Sequence, residues 1–277
     1  MKKISHSKKI LIALWGIVFV FLVYNISKVP SLERDWAKDQ KILANIDIKE
    51  DSISIENIRD FKYVTVDNYT IGYINEEYDI SKLESLYYII EPFWSFEWPA
   101  HTMLSFGFSD GRYLVISAEI RKEVWETFWP IKWLFRNYEM TYVIGTEEDL
   151  IKLRANYRKD DVFLYPIKAQ KKDIQKLFLS MLERAQHLSQ KAEFYNTLSN
   201  NCTTAILRHV NEIRNEEIPW SFNALMPANS DSVIYELWLI DTKFPLEEAR
   251  QYYQINKLSE QFAEDWDYSQ KIRKTRK

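Results

Sequence analysis

Lys2, Lys3, Lys8 and Lys9 precede an apolar run over residues 10–26, and this pairing decides where the rest of the chain folds. A run of that length is close to the minimum for a helix that crosses a bilayer. Basic residues ahead of it hold the N-terminus in the cytoplasm and send the remainder of the chain across the membrane. A cleaved signal peptide has the same charged start and apolar middle. No small-x-small cleavage site follows Ile26, and Trp15 and Tyr24 suit a membrane-spanning helix better than a leader. The expectation is a cytoplasmic tip over 1–9 and an uncleaved transmembrane anchor over 10–26. Under either reading the body of the protein lies outside the cytoplasm.

Exported domains often rely on disulfides, yet Cys202 is the single cysteine among 277 residues. One thiol forms no internal disulfide and builds no cysteine metal site. The body must rest on a hydrophobic core, and the length supplies one of ordinary size. Five glycines are too few for a phosphate loop or a dinucleotide fingerprint. A net charge of −3 argues against a general nucleic-acid binder. No metal and no cofactor is expected.

Hydrophobic spacing and turn residues organise the body. A helix is expected over 31–46, capped by Ser31. Strands are expected over 52–55, 61–66 and 70–73, then a helix over 81–90. Two arms, 101–108 and 112–121, flank Ser109-Asp110-Gly111 and read as a β-hairpin. An aromatic-rich stretch over 123–133 follows, interrupted by Pro130. Next come a strand over 138–144, a helix over 147–157, a strand over 162–165 and a long helix over 171–190. A helix opens at Cys202, and a last one covers 246–264. The basic tail, 271–277, reads as a frayed, solvated end. Strands and helices mix without regular βαβ alternation. This predicts one α+β domain over 30–245, followed by a C-terminal helix and tail over 246–277.

Cys202 stands in Asn200-Asn201-Cys202-Thr203-Thr204, where either asparagine can cap the helix that begins there. The sulfur would then sit in the first turn, where the helix dipole favours a thiolate. The alternative is a small buried hydrophobe. A nucleophilic cysteine needs a base and a group to orient it. Of the four histidines, His6 falls on the cytoplasmic side and His187 lies within a helix. His209 is about two turns beyond Cys202, too far to touch it. His101, which opens the hairpin, remains. If the hairpin loop has three residues, His101 faces Glu119 on the more polar face of the second arm, with Ser117 and Arg121. If Asp110-Gly111 is a two-residue turn, Glu119 pairs with Thr102 and the contact is lost. The plainer reading of the pair is a surface ion pair across a hairpin. Asn201 and Thr203, beside Cys202, and Trp98, just before His101, are candidate substrate-binding residues. Phe93, Trp94, Phe96 and Trp98 ahead of the hairpin, and Trp125, Phe128, Trp129, Trp133 and Phe135 after it, suit an acyl chain, a bilayer interface or a core.

Several stretches resemble the Lnb N-terminal periplasmic domain family. They are Ala100-His101-Thr102-Met103-Leu104-Ser105-Phe106-Gly107-Phe108, Ser117-Ala118-Glu119-Ile120-Arg121-Lys122-Glu123, Phe194-Tyr195-Asn196-Thr197-Leu198 and Asn201-Cys202-Thr203-Thr204. Arg34-Asp35-Trp36, Asn57-Ile58-Arg59-Asp60-Phe61-Lys62-Tyr63, Glu147-Glu148-Asp149-Leu150 and Leu153-Arg154 agree, so the similarity runs from about 30 to about 240. The family is named for bacterial lipoprotein N-acylation and is similar to circularly permuted NlpC/P60 papain-like thiol enzymes. The resemblance implies a permuted papain-like α+β fold with an antiparallel sheet. It implies Cys202 as nucleophile and His101 as base, and Glu119 falls in the matching motif. It also implies a periplasmic thiol acyltransferase at the inner membrane, with membrane phospholipid and a lipoprotein as partners. A cysteine peptidase or amidase of the cell wall, a hydrolase, and a non-catalytic envelope module are the competing functions.

Overall fold

The computed structural model describes residues 15–17, 19–20, 23–25, 27–93, 100–126, 138–196, 199–214, 216–219 and 227–274. Among them no helix is long and apolar enough to cross a membrane, and most of the expected anchor over 10–26 lies outside the described residues.

Strand-forming residues dominate the first half. β1 (Asn45–Lys49), β2 (Ser52–Arg59), β5 (Tyr73–Asp79), β6 (Leu83–Pro92), β7 (Ala100–Phe108), β8 (Tyr113–Arg121), β9 (Glu139–Gly145) and β10 (Phe163–Pro166) join one sheet. Its order is β1-β2-β9-β8-β7-β6-β10, with β5 also paired to β2. Pairing is antiparallel except for one parallel bridge, Arg59 to Gly145. A two-stranded ribbon, β3 (Lys62–Tyr63) and β4 (Tyr69–Thr70), stands apart.

Both faces of the sheet are covered. Even-numbered side chains Leu104, Phe106, Leu114 and Ile116 pack under α2 (Lys171–Gln190) and α3 (Cys202–Ile213), against Phe178, Met181, Ala205 and Ile206. Odd-numbered Met103 and Val115 face the other way. They meet Leu150 and Ile151 of α1 (Glu147–Lys152), and beyond them Ile255, Tyr268 and Ile272 near the C-terminus. Two opposed apolar faces are what the period-2 alternation of β7 and β8 requires. The architecture is α+β with a mostly antiparallel sheet, as expected.

The strands expected over 61–66 and 70–73 reduce to β3, β4 and the first residue of β5, and other expectations fail for identifiable reasons. Residues 81–90 form strand rather than helix. Leu83, Ile89 and Ile90 of β6 are buried, so no polar stripe marks a period, and the Tyr87-Tyr88-Ile89-Ile90 run carries the strand preference instead. Residues 31–46 form a strap, not a helix, and β1 begins within them. Trp36 bridges to Glu123, its indole N–H donates to the Leu32 carbonyl at 2.8 Å, and the buried Gln40 side chain hydrogen-bonds Ile120 and Lys122. The helix expected over 246–264 divides into α5 (Leu246–Tyr253) and α6 (Asn256–Gln261), because Gln254 turns out to bridge Phe163 of β10. The tail is not frayed through Arg273. That guanidinium is inserted between Tyr87 and Tyr113, 4.2 and 3.6 Å from the ring centres, and pairs with the fully buried Glu147.

Candidate active site

The hairpin sets the register of the site. Phe108 N–H donates to the Arg112 carbonyl at 2.9 Å, and Gly111, at φ 87°, closes a three-residue loop. Only a residue free of a Cβ penalty sits easily at that angle. Leu104 therefore pairs with Ile116 and Phe106 with Leu114, the register that aligns His101 with Glu119. The ladder between β7 and β8 stops at Leu104–Ile116. Beyond it β7 stays paired to β6, with His101 opposite Glu91, and β8 stays paired to β9. The strands part, and the polar side chains occupy the split.

His101 does not bond Glu119 directly. The Nε2–Oε1 distance is 3.6 Å, beyond a hydrogen bond, and Ser117 bridges the two. Its hydroxyl lies 2.7 Å from His101 Nε2 and donates to Glu119 Oε1 at 2.9 Å. A hydroxyl has one proton to give, so Ser117 must accept from Nε2–H. Nε2 therefore carries a proton in either charge state of the ring, which leaves Nδ1 as the nitrogen available to the sulfur. Glu119 is held in turn by Arg154 Nη2 at 2.9 Å, and Arg154 Nε reaches the fully buried Glu91 at 2.6 Å. Arg154 comes from the π-helical turn Leu153–Arg158 that follows α1.

Cys202 is the first residue of α3 and is buried. Asn201 caps the helix: its side-chain oxygen accepts from Thr204 N–H at 2.7 Å, and the Thr204 hydroxyl accepts from Asn201 N–H at 2.7 Å. This reciprocal box satisfies two of the donors that every helix start leaves open. The Thr203 hydroxyl lies 3.9 Å from the sulfur and 3.2 Å from that of Thr102. Thr102 lies close enough to the sulfur to favour its thiolate form. Even-numbered residues of β7 aim their N–H groups at β8, as Phe108 does, so the end of the ladder frees the Thr102 donor for this role.

Charge follows from these contacts. Burial pushes the Cys202 thiol up, but the His101 imidazolium and the Thr102 donors outweigh it and bring the pKa down to about 7. Burial disfavours the His101 cation, but Cys202 and Glu119 outweigh it and raise the pKa to about 9. Burial also opposes the Glu119 carboxylate, yet His101 and Arg154 hold it well below the usual carboxylate range. The stable form between these limits is a thiolate–imidazolium pair backed by a carboxylate. Tyr195 lies near Cys202, and burial, with the nearby thiolate, pushes its ionisation well up.

The structure thus brings together Cys202, His101 and Glu119. Thr203 is beside the sulfur, Asn201 is the helix cap, and Trp98 lies outside the described residues, as do Trp94, Phe96, Phe128, Trp129, Trp133 and Phe135. His187 pairs with Glu193 at 3.5 Å, and His209 is bonded to Tyr142 and Ser180. Among the described residues no group of three metal-ligating side chains forms. Ser117 shares a strand face with Glu119 two positions away, a signal open to period-2 reading. Thr102, Arg154, Glu91 and Tyr195 join the site from separate elements; no spacing announces them, and only the family resemblance touches Thr102, Arg154 and Tyr195.

A buried cysteine at a capped helix start, coupled to a histidine and a bridged carboxylate, has the parts that a thiol nucleophile needs. The chain belongs to the Lnb N-terminal periplasmic domain family, whose model matches residues 69–228. The match spans the hairpin, Arg154 and Cys202. No curated protein and no solved structure matches the chain.

Proposed function

We propose that this protein is a periplasmic, cysteine-dependent acyltransferase with a circularly permuted papain-like domain, held at the inner membrane by an anchor over residues 10–26. The observation that carries the reading is the coupling of Cys202 to His101, which favours a thiolate at neutral pH. The Cys202 thiolate attacks an ester carbonyl of a membrane phospholipid. The C–S bond forms, the C–O bond breaks, and the His101 imidazolium returns its proton to the departing alkoxide. The backbone N–H groups at the start of α3, with the Tyr195 hydroxyl nearby, suit the oxyanion of the tetrahedral intermediate. An amine, such as the α-amino group of a lipoprotein, then attacks the thioester. His101 takes its proton, an amide forms and the thiolate leaves. Ser117 and Glu119 orient the ring throughout, and Arg154 holds Glu119.

Family membership supports lipoprotein N-acylation as the reaction class. The apolar cavity beside Thr203 favours a lipid over a cell-wall peptide. The test uses the full chain with phospholipid vesicles and a lipopeptide bearing a free α-amine, with products read by mass spectrometry. Lysophospholipid and N-acylated peptide should appear in equal amounts and disappear in Cys202→Ala. Free fatty acid in place of acylated peptide would make the protein a hydrolase, and no lipid product at all would remove the reading.

A further inference from the structure

An apolar cavity of about 80 Å³, open at one side, lies between the sheet and α3. Leu86 and Leu104 line it from the sheet, Ile206 and Val210 from α3, and Ile234 and Leu239 from the segment around α4 (Ser230–Glu236). Three hydroxyl-bearing residues share the wall: Thr203, Tyr88 and Ser230. Thr203 is the residue whose hydroxyl lies 3.9 Å from the Cys202 sulfur. Tyr88 donates to Ser230 at 2.6 Å, and its ionisation is disfavoured by burial and by the nearby Cys202 thiolate. These hydroxyls are occupied: Tyr88 with Ser230, Ser230 with the Pro227 carbonyl, Thr203 with Thr102. Water gains little in such a space, since it needs two to four polar partners.

We infer that this cavity holds the hydrocarbon chain of the acyl group carried on Cys202 and that it selects chain length. This deepens the acyltransferase reading and rests on it. Thr203 is decisive, because one residue forms the cavity wall and flanks the nucleophile. A carbonyl carbon bonded to the sulfur has a dry, apolar space at hand for its tail, and α3 supplies both the nucleophile and one side of that space. Each further methylene buried should tighten binding about fourfold until the cavity is full.

The test measures binding of the fluorescent fatty acid cis-parinarate to the full chain, with displacement by saturated fatty acids of 8 to 18 carbons. Wild type should bind the probe, and affinity should climb steeply with chain length to a plateau. Val210→Trp and Leu239→Trp fill the cavity from two different elements, so one misfolded variant leaves the other. In either, affinity for the 16-carbon acid should fall at least tenfold and that for the 8-carbon acid less than threefold. Failure of wild type to bind, a flat chain-length profile in wild type, or a folded Trp variant with an unchanged profile would overturn the inference. Cys202 thioester formation is read separately by mass spectrometry. Chain binding without any thioester would refute the acyl transfer and leave a lipid-chain site. Thioester formation with unchanged selectivity in the variants would do the reverse.

Discussion

Replacing His101 by Ala should move the titration of Cys202 from about 7 back to its ordinary 9.0 or higher, because burial would then be opposed only by Thr102. At pH 7 a thiol with a pKa of about 7 is about half thiolate, and one with a pKa of 9 about 1 %. The thiolate population thus falls about fiftyfold. A more basic thiolate is also more nucleophilic, by roughly eightfold over two pKa units. The alkylation rate at pH 7 should therefore fall only about sixfold, and the pH midpoint is the decisive quantity. The assay is iodoacetamide labelling of the one cysteine, timed by intact-mass spectrometry between pH 5 and 10. Accessibility scales the whole curve and leaves its midpoint in place. The expected wild-type midpoint is near 7, and in His101→Ala it lies at 9 or higher with a higher plateau. Coincident midpoints, or a wild-type midpoint near 9, would refute the coupling. Catalysis needs thiolate and imidazolium together, so activity should rise through about pH 7 and fall through about pH 9.

Arg154→Met should cost roughly 3–5 kcal/mol in urea unfolding, because it leaves the fully buried Glu91 without its closest cation; a loss below 1 kcal/mol would contradict that role. Arg273→Ala should cost a similar amount through the buried Glu147, whereas no measurable loss would restore a solvated tail. His209 is buried as a neutral ring, its pKa lowered from 6.5 to about 4 by burial and then by Arg184 and Arg208. Below pH 6.5 the unfolded chain gains a proton there and the folded one does not, so stability falls as pH drops from 6.5 to 4. This group should remove about 2 kcal/mol by pH 5, and His209→Gln should lack that slope in urea melts at pH 5 and 8.

The helix start at Cys202 and the hairpin were legible because both rest on local chemistry. Asn201 and Thr204 satisfy each other within one turn, and Gly111 sets a loop of three residues, which aligns His101 with Glu119. The choice between the two registers needed the Phe108–Arg112 bond, which the Asp-Gly pair left open. The parting of β7 and β8 was not legible, because alternation specifies which face a side chain takes and not where a ladder ends. For that reason Ser117 stands where a direct His101–Glu119 bond was expected. Arg154 and Glu91 are joined by a contact 63 positions apart, which no local pattern encodes. β6 was hidden for a different reason: burial of Leu83, Ile89 and Ile90 erased the polar stripe that separates the two periods.

The central claim is that Cys202 carries an acyl group through a thioester. Intact-mass and peptide mass spectrometry of the full chain after incubation with phospholipid vesicles tests it most directly. The predicted result is a single acyl adduct on the peptide containing Cys202, released by neutral hydroxylamine, strongly reduced in His101→Ala and missing in Cys202→Ala. An unmodified Cys202 under conditions where lipid is consumed, or an adduct that persists in Cys202→Ala, would contradict the account.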